Sequence, residues 1–96
     1  MFDKMKQLMD MKKQAEQIKK ELDASSVEVT DVRGIKIVIN GSQNFQSIEV
    51  DSGLCDPANK ARLEADLLRG VNAAIAKSQK IAALKMKALM PGLPGF

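Results

Sequence analysis

The fold is decided by residues 26–51, SVEVTDVRGIKIVINGSQNFQSIEVD, where apolar residues alternate with polar ones in three short runs. The alternating apolar positions are Val27 and Val29, then Ile35, Ile37 and Ile39, then Ile48 and Val50. A period of two predicts three short β-strands that each bury one face. The glycine-bearing connections at residues 31–34 and 40–44 have the length of hairpin turns, so the sequence predicts an antiparallel meander. On the other face, we expect Glu28, Lys36 and Glu49 to lie across from one another as alternating charges.

Helical periodicity flanks the strands on both sides. Before them, residues 2–24 place apolar side chains three and four positions apart, which predicts an amphipathic helix. After them, Asp56 and Pro57 form a helix start signal, because aspartate can cap free backbone N–H groups and proline needs no partner at the first helical position. A long helix is predicted from about Pro57 to Met90, and Gly70 inside it permits close packing.

The lengths of these elements indicate a homodimer. The long helix spans roughly 50 Å, whereas a strand of five or six residues spans about 20 Å. Apolar residues far along the helix, Ile81, Leu84 and Leu89, must therefore be covered by the first helix or by a second copy, and homodimerisation is the simpler solution. We expect one α+β domain over residues 1–90, built as helix, three-stranded antiparallel meander and long helix. A flexible Pro/Gly tail is expected at residues 91–96.

Positive charge is concentrated toward the end of the chain. There are 15 Lys and Arg against 12 Asp and Glu, a formal net charge of +3, and residues 67–96 contain no acidic residue. On a helix, four basic residues fall within about 20° of one another around the axis and form one stripe. They are Arg62, Arg69, Lys80 and Lys87. Such a stripe, with no acidic residue after Asp66 to neutralise it, is typical of a protein that contacts phosphates.

This geometry ranks the candidate contacts to phosphate groups. The first candidates are Arg62, Arg69, Lys77, Lys80 and Lys87, and the second are Lys6, Lys13 and Lys20. The first helix ranks second because it mixes signs, and Glu16 can pair with Lys12 or Lys20 four residues away. Two alternatives compete with phosphate binding. The basic residues can form a solvated face without a ligand, or the chain can be a protein–protein adaptor that binds through a Met-rich helical surface around Met5, Leu8 and Met9.

Several function classes are disfavoured by composition. Histidine is absent, which removes the commonest general base and metal ligand, so we predict no catalytic residues, no metal, no cofactor and no small-molecule substrate. The single cysteine, Cys55, allows no intramolecular disulfide and fits a reducing cytoplasm. No stretch approaches the roughly 20 apolar residues of a membrane span. With three Phe and no Tyr or Trp, the chain also lacks the usual stacking platforms for single-stranded nucleic acid.

The sequence resembles the YbaB/EbfC family of bacterial nucleoid-associated proteins over nearly its whole length. The resemblance is carried by MFDKM at 1–5, IVING at 37–41, SIEVD at 47–51, LEADLL at 63–68, VNAA at 71–74 and PGLPGF at 91–96. It implies a tweezer-like homodimer that binds double-stranded DNA and helps to organise the nucleoid or regulate genes. The first hairpin, residues 31–34, is shorter than the Gly-rich one usual in the family.

Overall fold

The computed structural model describes the backbone of residues 2–89 and the side chains of residues 3–89. Helix α1 covers Phe2–Ala24, strands β1, β2 and β3 cover Ser26–Val29, Ile35–Asn40 and Phe45–Val50, and helix α2 covers Lys60–Leu89. Short 3-10 turns at Ser52–Leu54 and Pro57–Asn59 lead into α2. The predicted α+β order is therefore confirmed. The predicted helix end at Met90 and the predicted tail at residues 91–96 lie outside the described residues.

The start of α2 follows the predicted capping chemistry. The Asp56 carboxylate accepts a hydrogen bond from the backbone N–H of Ala58 at 3.0 Å, and Pro57 occupies the first position of the 3-10 turn. This turn runs directly into α2. Within residues 2–89, neither helix is apolar over a sufficient length to cross a membrane.

The three strands form the predicted antiparallel meander, in the order β1-β2-β3. Ile37 at the centre of β2 lies opposite Val29 of β1 and Ile48 of β3. The pairing of β2 with β3 is irregular between Val38 and Ile39. This register places the apolar positions of all three strands on one face of the sheet, because side chains of paired residues point the same way.

Helix α2 packs on that face over β1 and β2. The core consists of Val29, Ile35, Ile37 and Ile39 from the sheet and Ala74 from α2. Gly70 allows the close approach predicted for it, because a β-carbon there would lie 3.2 Å from Cδ1 of Ile37. The third strand receives little of this cover. Phe45 and Ile48 of β3 point to the same side as Ile39 and Ile37, yet they remain 41% and 48% exposed.

The opposite face of the sheet is polar and carries the predicted alternation of charge. The Lys36 Nζ lies 3.7 Å from a carboxylate oxygen of Glu28 and 3.5 Å from one of Glu49. These carboxylates, Glu28 first and Glu49 second, raise the pKa of Lys36 above its usual value. All three side chains are substantially exposed, so this face is a solvated surface.

The end of α1 is anchored to the turn between β2 and β3. The backbone N–H of Gly41 donates to the carbonyl oxygens of Leu22 and Ser25, each at 3.0 Å. The Asn40 side chain donates to the carbonyl of Asp23 at 3.3 Å and accepts hydrogen bonds from backbone N–H groups within the turn. From the other helix, the Ser78 hydroxyl donates to the Asn40 carbonyl at 2.7 Å. One turn therefore holds both helices.

From this anchor the two helices run side by side in opposite directions. The Lys85 ammonium of α2 lies 3.6 Å from the Glu21 carboxylate of α1. Further along, Met86 lines a shallow apolar groove together with Ile18 and Leu22. Residues 3–17 of α1 are exposed throughout. The N-terminal half of α1 is therefore a projecting arm.

We expect Gly41→Ala to lower the free energy of unfolding by about 1–3 kcal/mol. A β-carbon at this position would lie 3.2 Å from the carbonyl oxygen of Leu22 and 3.3 Å from its Cα, and these backbone atoms cannot rotate away. Urea denaturation followed by circular dichroism measures the change. Gly53→Ala is the matched control, because a β-carbon there meets nothing within 4 Å. Equal stability of the two variants would contradict the anchoring role.

Candidate nucleic-acid interface

Helix α2 positions four of the candidate residues on one side. Because Lys60–Leu89 is one unbroken helix, Arg62, Arg69, Lys80 and Lys87 lie within about 20° of one another around its axis. We call these four residues the α2 stripe. All four are exposed, and at 1.5 Å per residue the α2 stripe extends over roughly 38 Å. The four side chains are thus spread along a length of about one turn of B-DNA.

The N-terminal half of the α2 stripe is not free of acidic partners. Asp66 Oδ1 lies 2.5 Å from Arg69 Nη2, and its Oδ2 lies 3.9 Å from Arg62 Nε. The Asp66 side chain is only 10% exposed, whereas those of Arg62 and Arg69 are 77% and 69% exposed. The expectation of an uncompensated stripe is therefore wrong for this half. The physical reason is helix geometry, since residues three and four apart lie on neighbouring turns.

The C-terminal half of the α2 stripe is different. Lys80 and Lys87 form no ion pair with any side chain of residues 3–89. Lys87 also lies in the last described turn of α2, where the partial negative charge of the helix end favours a cation. These two ammonium groups are available to an anionic ligand.

Lys77 has a structural contact instead. Its Nζ lies 2.7 Å from Oδ1 of Asp31, which belongs to the connection between β1 and β2. Both side chains are 44% exposed, so the pair is reachable by solvent. The contact ties the middle of α2 to the sheet, and Lys77 lies roughly 60–80° around the axis from the α2 stripe.

The lysines of α1 form a separate basic surface. Lys6, Lys13 and Lys20 are exposed and lie seven residues apart along the helix. They lie roughly 200–240° around α1 from Ile18, which faces the groove beside Met86 of α2, so they point away from α2. The structure thus does not bring them next to the α2 stripe.

The ion pairs expected within α1 are also absent. In the described part of the chain, Glu16 pairs with neither Lys12 nor Lys20. The reason for ranking the α1 lysines second, a surface of locally paired charges, is therefore weaker than the sequence suggests. Lys6, Lys13 and Lys20 are as free of carboxylate partners among residues 3–89 as Lys80 and Lys87.

Comparison with known proteins identifies the family. The sequence profile described as the YbaB/EbfC DNA-binding family matches residues 1–93. The chain belongs to the YbaB/EbfC DNA-binding family. This confirms the resemblance found in the sequence, and the family is described by DNA binding rather than by a reaction.

Several nucleoid-associated proteins match this chain over almost their full length. A nucleoid-associated protein of Chloroflexus aurantiacus is 34% identical over 93 residues, which cover 96% of this chain and 93% of the relative. A nucleoid-associated protein of Syntrophobacter fumaroxidans is 31% identical over 98 residues, with 99% and 89% coverage. A third from Moorella thermoacetica is 32% identical over 95 residues, with 96% and 91% coverage.

Proposed function

We propose that this member of the YbaB/EbfC family is a homodimeric nucleoid-associated protein that binds double-stranded DNA largely through its phosphates. The observation that carries the proposal is the exposed α2 stripe, with Lys80 and Lys87 free of ion pairs among residues 3–89, in a chain of a DNA-binding family. Its place is the nucleoid in the cytoplasm, where it organises the chromosome or regulates genes. It acts by binding, without catalysis, as one domain over residues 1–90.

The proposed mode of binding is electrostatic. Lysine and arginine side chains that neutralise phosphates release condensed counterions, and each neutralised phosphate contributes a slope of about −0.9 in log K against log salt. A dimer that makes on the order of six such contacts loses affinity steeply as salt rises. In this mode Lys6, Lys13 and Lys20 are a second contact surface behind the α2 stripe. The protein then binds many sequences with similar affinity, because phosphates carry no base information.

The apolar surface supports the homodimer. Phe45 and Ile48 leave an apolar row exposed on β3, and this strand lies at an edge of the sheet with unpaired backbone groups along one side. Soluble proteins rarely leave an apolar edge strand of this length uncovered. On α2, Leu68 and Leu84 are 63% and 59% exposed, so α1 covers only part of the helix.

A second copy placed on the β3 row covers the exposed edge strand. It covers Phe45 and Ile48 in both protomers, and it leaves the projecting α1 arms free. The arrangement agrees with the tweezer-like shape that the family resemblance implies. It also doubles the formal charge of +3 carried by each chain, which strengthens attraction to DNA.

We expect Ile48→Glu to convert the dimer into a folded monomer. The side chain lies on the half-exposed apolar row, so a charge there is tolerated in the monomer and would be buried in the dimer. Size-exclusion chromatography with light scattering measures the mass. Ser47→Glu is the matched control on the same strand, since Ser47 pairs with Val38 and points to the polar face. A dimeric Ile48→Glu variant would place the interface elsewhere.

Reversing the charge of the α2 stripe tests the DNA contacts. We expect the triple variant Arg69→Glu, Lys80→Glu and Lys87→Glu to abolish the gel shift of a random-sequence duplex while it remains a folded dimer, because it removes phosphate ligands and adds repulsion. For a matched single comparison, Lys80→Glu is set against Lys60→Glu. Lys60 lies on α2 outside the stripe and pairs with Glu64. Unaltered DNA binding by the triple variant would reject the residue assignment.

The adaptor hypothesis keeps one supporting observation. Met5, Leu8 and Met9 are 60–67% exposed on the α1 arm, where they form an apolar surface without cover from residues 3–89. An adaptor predicts that charge reversal of the α2 stripe has no effect on function. It also predicts that polar substitutions at Met5, Leu8 and Met9 abolish function while leaving duplex binding intact.

A further inference from the structure

Asp66 holds an unusual position for an acidic residue. Its side chain is 10% exposed, and its carboxylate contacts the two arginines of the α2 stripe. The side chains of both arginines are largely exposed to solvent. The contact to Arg69 is a short hydrogen bond of 2.5 Å, and the contact to Arg62 is a looser ion pair of 3.9 Å. One negative charge is therefore shared between two proposed phosphate ligands.

We propose that Asp66 is an internal counter-ion that competes with DNA phosphates for Arg62 and Arg69 and so limits the affinity of the protein for any duplex. The proposal rests on the proposed function, because it assigns a regulating residue to the same DNA-binding surface. Asp66 does not itself touch DNA. It acts through the two arginines.

The burial of Asp66 makes the competition effective. Two charges attract more strongly where water is excluded, so a shielded carboxylate holds a guanidinium better than an exposed one does. The group of Arg62, Asp66 and Arg69 carries two positive charges and one negative charge. An approaching phosphate is therefore attracted only by the net positive charge of the group. The effect is larger for Arg69, whose Nη2 is engaged at 2.5 Å, than for Arg62.

The two halves of the α2 stripe then differ in how strongly they attract phosphate. Lys80 and Lys87 offer full charges, because they have no carboxylate partner in the described chain, whereas Arg62 and Arg69 offer attenuated ones. This division is not visible in the total charge of the protein. It predicts that removing the Asp66 carboxylate is enough to increase the affinity for DNA, without any added basic residue.

The test compares Asp66→Asn with Glu64→Gln. Both changes remove one negative charge from the same helix, but Glu64 is exposed and pairs only with Lys60 among residues 3–89. Binding to a fluorescent random-sequence duplex is measured by anisotropy over a salt series. We expect Asp66→Asn to bind at least about threefold tighter than the unmutated protein and to steepen the salt slope by about one per protomer, while Glu64→Gln stays within about twofold. An Asp66→Asn variant that binds no more tightly than Glu64→Gln overturns the proposal.

A second comparison keeps the test decisive if Asp66→Asn does not fold, as judged by circular dichroism. Asp66→Ser then takes its place, because it also removes the carboxylate while both arginines remain, and it should bind the duplex at least about threefold tighter than the unmutated protein. An Asp66→Ser variant that binds no more tightly than Glu64→Gln overturns the proposal. Failure of the proposed function and failure of the role of Asp66 give different results. An unmutated protein that binds no duplex at low salt refutes the proposed function itself. Binding by the unmutated protein with no effect of Asp66 refutes only the role of Asp66.

Discussion

The structure depends on the turn between β2 and β3, because this region forms hydrogen bonds with both helices. Asn40 is the last residue of β2 before this turn: its side chain donates to the Asp23 carbonyl in the last turn of α1, and its carbonyl accepts a hydrogen bond from the Ser78 hydroxyl of α2. The Gly41 N–H donates to the carbonyls of Leu22 and Ser25, so close to α1 that a β-carbon on Gly41 would lie 3.2 Å from the Leu22 carbonyl oxygen. Buried polar groups of this kind are costly unless they are all paired, and here they pair both helices with the same few residues. The relative position of the two helices is therefore fixed in large part at this end of the sheet, and the ion pair between Lys85 and Glu21 adds a contact along the helices.

A second constraint is the mismatch between one helix and three strands. An α-helix with its side chains is about 10–12 Å wide, whereas three strands spaced about 4.8 Å apart present a wider apolar face. Because α2 centres on β1 and β2, the inner side of β3 remains uncovered, and Ile48 is 48% exposed although its partner Ile37 is fully buried. The apolar row on β3 thus follows from geometry rather than from an unusual sequence. This is why an interface with a second copy is a more economical explanation than an isolated monomer.

The sequence predicts the fold well and the electrostatics of the site only in part. Alternation in residues 26–51 and the capping residues Asp56 and Pro57 are local signals, and the strands and the start of α2 follow from them. The pairing of Asp66 with Arg62 and Arg69 follows from their spacing of four and three residues on a helix. The absence of acidic residues after Asp66 says nothing about the contacts of Asp66 itself. The contact of Lys77 with Asp31 joins residues 46 positions apart, so no local pattern could reveal it. Burial of Asp66 is likewise a tertiary property, because it depends on which side of α2 meets the sheet.

The position of Asp66 along α2 explains why the proposed counter-ion is compatible with the fold. The N-terminal end of a helix carries a partial positive charge and the C-terminal end a partial negative one. Arg62 lies near the N-terminal end of α2, where a cation is unfavourable, and Lys87 lies in the last described turn, where a cation is favourable. Asp66 places a negative charge beside Arg62 and Arg69 and so offsets the unfavourable position of Arg62 near the helix N-terminus. It thereby stabilises the beginning of α2. The same charge reduces the attraction of these arginines for phosphate. Lys87 needs no such partner, because the helix end itself favours its charge. Stability of α2 and strength of DNA binding are therefore opposed at one end of the stripe and compatible at the other.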